Sequence, residues 1–270
     1  MARSRNKYRY LFAFAFASAI CGFANSETYN CVSLEYPPLI MADHNGNASG
    51  FVVEIVTNIF KNLGHSVHVE IYPWARALSM INSGQSDRIF TIFRTSEREK
   101  FLDFSNESIV NQKIYFYGRK SDKFAFNGDF SSLHKVRIGV LHNVSYGPEF
   151  DNARSKLLID EANSMESNIK KLIAGRIDLF PSNAYSASYF INAPGNKDFA
   201  DKIVQLPVPL SAVPSFLGFA KPKRLTELRD RFDEEVVKFF ASDKYSELLI
   251  KYNVGDQYLR SSRKKENISH

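Results

Sequence analysis

At 270 residues, with 44% apolar content and a formal net charge of +6, the chain is long enough to bury one large core or two modest ones. With two cysteines, one of them in an expected leader, it excludes a disulfide-stapled scaffold, so stability must come from burial. It carries no basic stripe with interleaved aromatics, and past the start no apolar run approaches the roughly 18 residues of a membrane span, so a soluble chain without nucleic-acid partners is expected.

Arg3, Arg5, Lys7 and Arg9 precede an apolar run from Leu11 to Ala19, and small residues surround Ser26. That order is the secretory signal pattern, which predicts export of a mature chain beginning at Glu27 in the periplasm. The alternatives are a lipoprotein anchor at Cys21, whose preceding Ser18, Ala19 and Ile20 fit the usual lipobox poorly, and a buried N-terminal helix with four cations at its start. Removing those cations with the leader takes +6 to about +2. Much of the remaining excess lies in Arg260, Arg263, Lys264 and Lys265, in a polar tail at 255–270 that is expected to be disordered.

In chain order, Tyr29 to Leu34 reads as a first strand, ended by Glu35-Tyr36-Pro37-Pro38. Val52, Ile55, Ile59 and Leu63 recur at helical spacing after Gly50, and Gly64 supplies a stop. Val67, Val69 and Ile71 alternate as a strand, a helix covers Trp74 to Ser83, and Arg88 to Phe93 is a buried strand. The second half repeats the plan: strands at Val136 to Leu141 and Leu157 to Ile159, a helix through Ile169, Leu172 and Ile173, and a strand at Ile177 to Phe180. Gly84-Gln85-Ser86-Asp87 and Gly175-Arg176-Ile177-Asp178 occupy equivalent helix-to-strand turns, which predicts a pair of similar lobes. Lys113 to Gly118 and Ser215 to Lys221 are the extended segments expected to carry the chain between lobes. A helix from Arg224 to Phe240, packing near the crossover or on the first lobe, and another from Lys244 to Tyr252 close the fold.

The fold class is therefore α/β, with 27–114 and 214–254 forming lobe I and 115–213 lobe II. In open α/β sheets ligands bind beyond the carboxyl ends of the strands. The cleft residues are then sought in Glu35 and Tyr36, Tyr72 to Arg76, Thr91 to Arg98, His142 to Tyr146 and Pro181 to Asn183. Ser96 with Glu99 has the form of a capping box beside Arg98, so a helix start and a guanidinium together would suit a carboxylate. From the residues alone, the preferred reading of Arg94, Glu97, Arg98 and Glu99 is a solvated charge cluster. Tyr36 and Trp74 fall just past strands, where they either clamp a ligand or pack in loops. Ser145 and the loop amides around it either close over the same anion or form an ordinary helix entry.

Catalytic signatures are weak. His44, His65, His68, His134, His142 and His270 make no metal-ligand spacing, and there is no Gly-x-Ser-x-Gly elbow or phosphate-cradling loop, so no metal, no cofactor and no enzyme activity are expected.

At Tyr36-Pro37-Pro38, Gly50-Phe51, Gly84 with Asp87, Glu97-Arg98, Asp103-Phe104-Ser105, Ile138-Gly139-Val140 and Gly175-Arg176-Ile177-Asp178, the chain resembles the family 3 extracellular solute-binding proteins. The resemblance covers about Tyr29 to Val254. Pro73-Trp74-Ala75-Arg76-Ala77-Leu78 with Phe93-Arg94-Thr95-Ser96-Glu97-Arg98 resembles a proteobacterial branch of that family. It implies a two-lobed periplasmic-binding-protein-like fold of type II and the binding set Tyr36, Trp74, Thr91, Arg98, Ser145 and Asn183. By the same resemblance Arg98 takes the ligand carboxylate and Tyr36 and Trp74 clamp its side chain. Asn183 stands where amino-acid receptors carry an ammonium-binding aspartate, which an amide cannot replace in charge. The implied function is capture of a small polar, carboxylate-bearing solute by a monomer that serves an ABC permease. The alternatives are a periplasmic dehydratase-type enzyme, with Glu35 as its nominated acid or base, and a soluble sensor for a membrane signalling partner.

Overall fold

A computed structural model describes residues 26–252 and 254. The expected leader (apart from Ser26) and tail lie outside the described residues. Strand β1 (Thr28–Ser33) leads into the Tyr36 turn, whose Pro37–Pro38 peptide is cis, and then into the short pair β2 (Met41–Ala42) and β3 (Ala48–Ser49). Helix α1 (Phe51–Asn62) buries Phe51, Val52, Ile55, Val56, Ile59 and Phe60, the stripe its sequence spacing required. β4 (Ser66–Ile71), α2 (Trp74–Asn82) and β5 (Arg88–Phe93) complete the first α/β unit, and every residue of β5 is buried.

After β6 (Leu102–Phe104) and the long β7 (Val110–Arg119), the second unit follows as β8 (Arg137–Leu141), α3 (Pro148–Ala153), β9 (Leu158–Ala162), α4 (Met165–Ile173), β10 (Leu179–Asn183), α5 (Ala184–Ile191) and α6 (Lys197–Ala200). The chain returns along β11 (Ile203–Ala220) and ends in α7 (Thr226–Phe240) and α8 (Asp243–Lys251). Leu228, Phe232 and Val236 of α7 join the α1 core, which puts the C-terminal helix on the first lobe. Among the described residues no helix is long and apolar enough to cross a membrane.

One nine-stranded sheet runs through both lobes in the order β4-β1-β5-β11-β7-β10-β8-β9, with β6 on β11. β1, β4 and β5 are parallel, as are β8, β9 and β10, and the antiparallel pair β7 and β11 joins the two sets. Each lobe packs helices on both faces of its strands. Phe60 and Phe232 mark one core of the first lobe and Ala77 and Phe104 the other; Phe116 and Phe150, then Leu172 and Phe180, do so in the second.

Most of each extended segment lies inside a lobe. Ile114 to Gly118 already ladder with β10 inside the second lobe, and Ser215 to Phe219 already ladder with β5 inside the first. Asn111 to Lys113, paired with Ala212 to Pro214, make the connection. Extended periodicity identifies a strand, but only the neighbour it pairs with says which lobe owns it.

The short repeated signature has the same structural job twice. Gly84 and Gly175 both take positive φ, +73° and +70°, to stop a helix. Asp87 then donates its N–H to Asn30 O at 3.0 Å and accepts from Asn30 N at 2.8 Å. Asp178 donates to Arg137 O at 2.8 Å and accepts from Arg137 N at 2.9 Å. Each aspartate thus clips the backbone of the neighbouring parallel strand.

Asp178 is also held in a fork by Arg137, Nε at 2.9 Å and Nη2 at 2.7 Å, with Arg119 Nη2 at 3.1 Å. Hydrogen bonding to Arg137, first of all, holds its carboxyl down to about 2 against an ordinary 3.8. A folded value below the unfolded one adds stability that is complete above about pH 4 and is lost as pH falls toward about 2. Solvent screening at Arg137 limits this to about 1 kcal/mol. Urea unfolding at about pH 5 and about pH 2.5 should show a smaller acid loss in Asp178→Asn by that amount.

Candidate functional site

The carboxyl ends of β1, β5, β8 and β10 converge on a cleft between the lobes. Its inner chamber, counted with the solvent at its mouth, has about 530 Å³ of empty space and takes Tyr36, Trp74, Thr91, Arg98 and Ser145 from the expected set. Val144 of the second lobe packs against the first-lobe cluster of Trp74 and Phe104, so the lobes meet over the chamber. A larger outer chamber, about 1350 Å³ and open to solvent, is lined by Glu97, Asp151 and Arg154 among others. Arg98, Val144 and Ser145 line both.

Arg98 is 8% exposed and forms no ion pair with any described carboxylate. Its Nη1 donates to Phe93 O at 2.9 Å, and its guanidinium carbon lies 5.6 Å from the centre of the Trp74 ring. Burial pulls its pKa down, with Asp151 and Glu97 opposing from a distance. A desolvated cation without a counter-ion is costly, and a ligand anion would relieve that cost. The helix start expected to assist it is absent. Arg98 opens a three-residue 3-10 turn, Arg98–Lys100, and Thr95 Oγ1, not Ser96, accepts from Arg98 N at 3.3 Å. Glu99 instead faces Arg94 at 3.9 Å. Anion binding here rests on the guanidinium.

Trp74 begins α2 immediately after Pro73, and its indole Nε1 is buried without a hydrogen-bond partner. Thr91 lies within β5 at φ +62°, a left-handed conformation that strains a β-branched residue by about 1–3 kcal/mol. Its Oγ1 is likewise buried and unpartnered. Backbone strain of this kind clusters at binding and catalytic sites.

Ser145 lines the cleft, but its hydroxyl proton is engaged. It donates to the Asp151 carboxylate, which also accepts from Tyr146 N at 3.2 Å. The second-lobe donors expected to close over the ligand anion are therefore partly taken by an internal acid. Asn183 does not line the chamber. Its side-chain oxygen caps α5 by accepting from Tyr185 N at 2.8 Å and Ser186 N at 3.4 Å, and its Nδ2 reaches Gln112 Oε1 at 3.4 Å. An asparagine directly before the helical run Ala184–Ile191 is an N-cap signal in the sequence. Asn183→Ala should therefore cost about 1 kcal/mol of stability in urea unfolding.

Gln112, 3% exposed, is the polar lining residue outside the ranges expected from the sequence, as are the apolar Leu34, Ile114, Leu141 and Met165. Its signal was present: in β7 the inward positions are Val110, Gln112, Ile114 and Phe116, and a polar residue on a buried phase needs a partner. Glu35 is exposed and outside the lining.

Two α/β lobes on one shared sheet, closing over a cleft at their strand ends, define a type II periplasmic-binding-protein fold. The chain belongs to the bacterial extracellular solute-binding proteins, family 3, whose family model matches residues 30–255. A probable histidine-binding protein of Neisseria gonorrhoeae is 23% identical over 162 residues, 59% of this chain and 60% of that relative, less than two thirds of its length. Among solved structures, a histidine kinase sensor domain superposes with a TM-score of 0.73 at 18% identity, covering 83% of this chain and 95% of that one. An arginine third transport system periplasmic binding protein of Legionella pneumophila gives 0.71 at 15% identity, with 84% and 100% covered. The ancestral amino acid-binding protein that preceded cyclohexadienyl dehydratase gives 0.68 at 19%, with 83% and 95% covered.

Proposed function

We propose that this protein is exported, captures a small carboxylate-bearing solute in its cleft and presents it to an ABC permease. The observation that carries the ligand reading is Arg98, buried at the seam of two chambers and ion-paired with no described carboxylate. The relatives named for amino acids support the solute class, and the charged start with its short apolar run supports export with removal of 1–26. A receptor is favoured over a dehydratase because no Asp, Glu or His is among the inner-chamber residues, which leaves proton transfer without a placed carboxylate or imidazole.

Small molecules released by denaturing protein purified from its native periplasm should include a carboxylic acid. Adding that acid back should lower the radius of gyration in small-angle scattering, as the lobes close about the Asn111 to Lys113 and Ala212 to Pro214 connections. An unchanged scattering profile at saturation would count against a closing receptor.

A further inference from the structure

The two chambers differ in chemistry, and the difference bears on what the ligand carries besides its carboxylate. Around the inner one, Leu34, Phe93, Ile114, Leu141, Met165 and Pro181 supply apolar walls, and Arg98 is its single charged residue. Acidic side chains occur only in the outer chamber, as Glu97 and Asp151. A ligand ammonium or guanidinium pushed inward would be desolvated with no carboxylate to meet it, and a second ligand carboxylate would find no further cation. Two of its lining residues, Trp74 and Thr91, only 8% and 6% exposed, carry buried polar atoms without protein partners, Nε1 and Oγ1. The indole N–H can only donate and the threonine hydroxyl can also donate, so an uncharged acceptor suits both. Thr91 keeps its strained backbone at this position as well.

Resting on the reading of Arg98 as the carboxylate site, we infer that the ligand is a monocarboxylic acid. Its carboxylate sits at the seam on Arg98. Its aromatic or branched apolar body points into the inner chamber and bears a neutral acceptor such as an oxo group. This separates the protein's specificity from that of receptors for basic amino acids, because the inner chamber selects against charge at the far end of the ligand.

Calorimetric titration of the full mature protein with phenylpyruvate, 4-methyl-2-oxopentanoate, L-arginine and L-glutamate tests it. Both oxo acids should bind at least about tenfold more tightly than arginine or glutamate. Thr91→Val keeps the side-chain shape and removes the hydroxyl, so it should weaken phenylpyruvate about fivefold and leave 3-phenylpropanoate, which lacks the oxo group, unchanged. Arginine or glutamate binding as tightly as the oxo acids, or no binding by either oxo acid, overturns the inference. Equal effects of Thr91→Val on phenylpyruvate and 3-phenylpropanoate remove the acceptor part of it. The carboxylate reading fails separately, if Arg98→Ala leaves the affinity of every bound acid unchanged.

Discussion

Replacing Arg98 with alanine should weaken carboxylate binding by about 2 to 5 kcal/mol, roughly 30-fold to several-thousand-fold in Kd. The size follows from its setting. The guanidinium is 8% exposed, braced by Phe93 O and the Trp74 ring, and lies where the inner and outer chambers join. A ligand anion entering that seam gives up water, and without Arg98 nothing in the inner chamber neutralises it. Arg98→Lys should recover only part of the loss, since an ammonium cannot present a planar pair of donors. The unliganded fold should survive either change, because alanine removes a buried cation that no described carboxylate pairs with. Calorimetry on the three proteins, with urea unfolding in parallel, separates affinity from stability. Unchanged affinity in Arg98→Ala would remove the anion site from the cleft.

A loss of stability of about 3 kcal/mol is expected from Asp233→Ala. Asp233 is buried on α7, and its carboxylate collects the chain just before β7 begins: Asn106 N at 2.9 Å, Glu107 N at 3.0 Å and Asn106 Nδ2 at 3.0 Å. Truncation leaves two backbone N–H groups without this acceptor and frees the loop from the C-terminal helix. Hydrogen bonds to a charged group are worth about 1.5–3 kcal/mol each, and water at the exposed Asn106 recovers part of that. Asp233→Asn retains one carbonyl acceptor and should lose less. Urea midpoints measure both. A loss below about 1 kcal/mol in Asp233→Ala would show that solvent replaces the carboxylate at this loop.

Arg98 and Asp233 also mark the boundary of what could be read from sequence. The position of Arg98 beside the cleft was legible because it follows a buried strand by a few residues, beyond the carboxyl end of the sheet. Asp233 was read only as part of a helix, since its partners stand 126 and 127 positions earlier.

Elements with regular hydrophobic spacing were legible, whereas the short β2, β3 and β6 and the helices α5 and α6 were not. The stripe Val52, Ile55, Ile59 gives α1, the stripe Leu228, Phe232, Val236 gives α7, and the alternation Val67, Val69, Ile71 gives β4. Even the repeated Gly-x-x-Asp proved meaningful, because the left-handed helix stop is a local requirement, whereas the strands that the two aspartates clip stand 57 and 41 positions away. Tertiary structure alone decided where β7 and β11 change lobes, since that depends on which strand each residue pairs with. It also decided what the site's polar groups are free to do. The Ser145 proton goes to Asp151, the Asn183 amide goes to α5 and Gln112, and Arg98 keeps no carboxylate partner. Residue type sets what a side chain can bind, but its availability to a ligand depends on which neighbours the fold brings within hydrogen-bonding distance, and those contacts follow from packing rather than from periodicity.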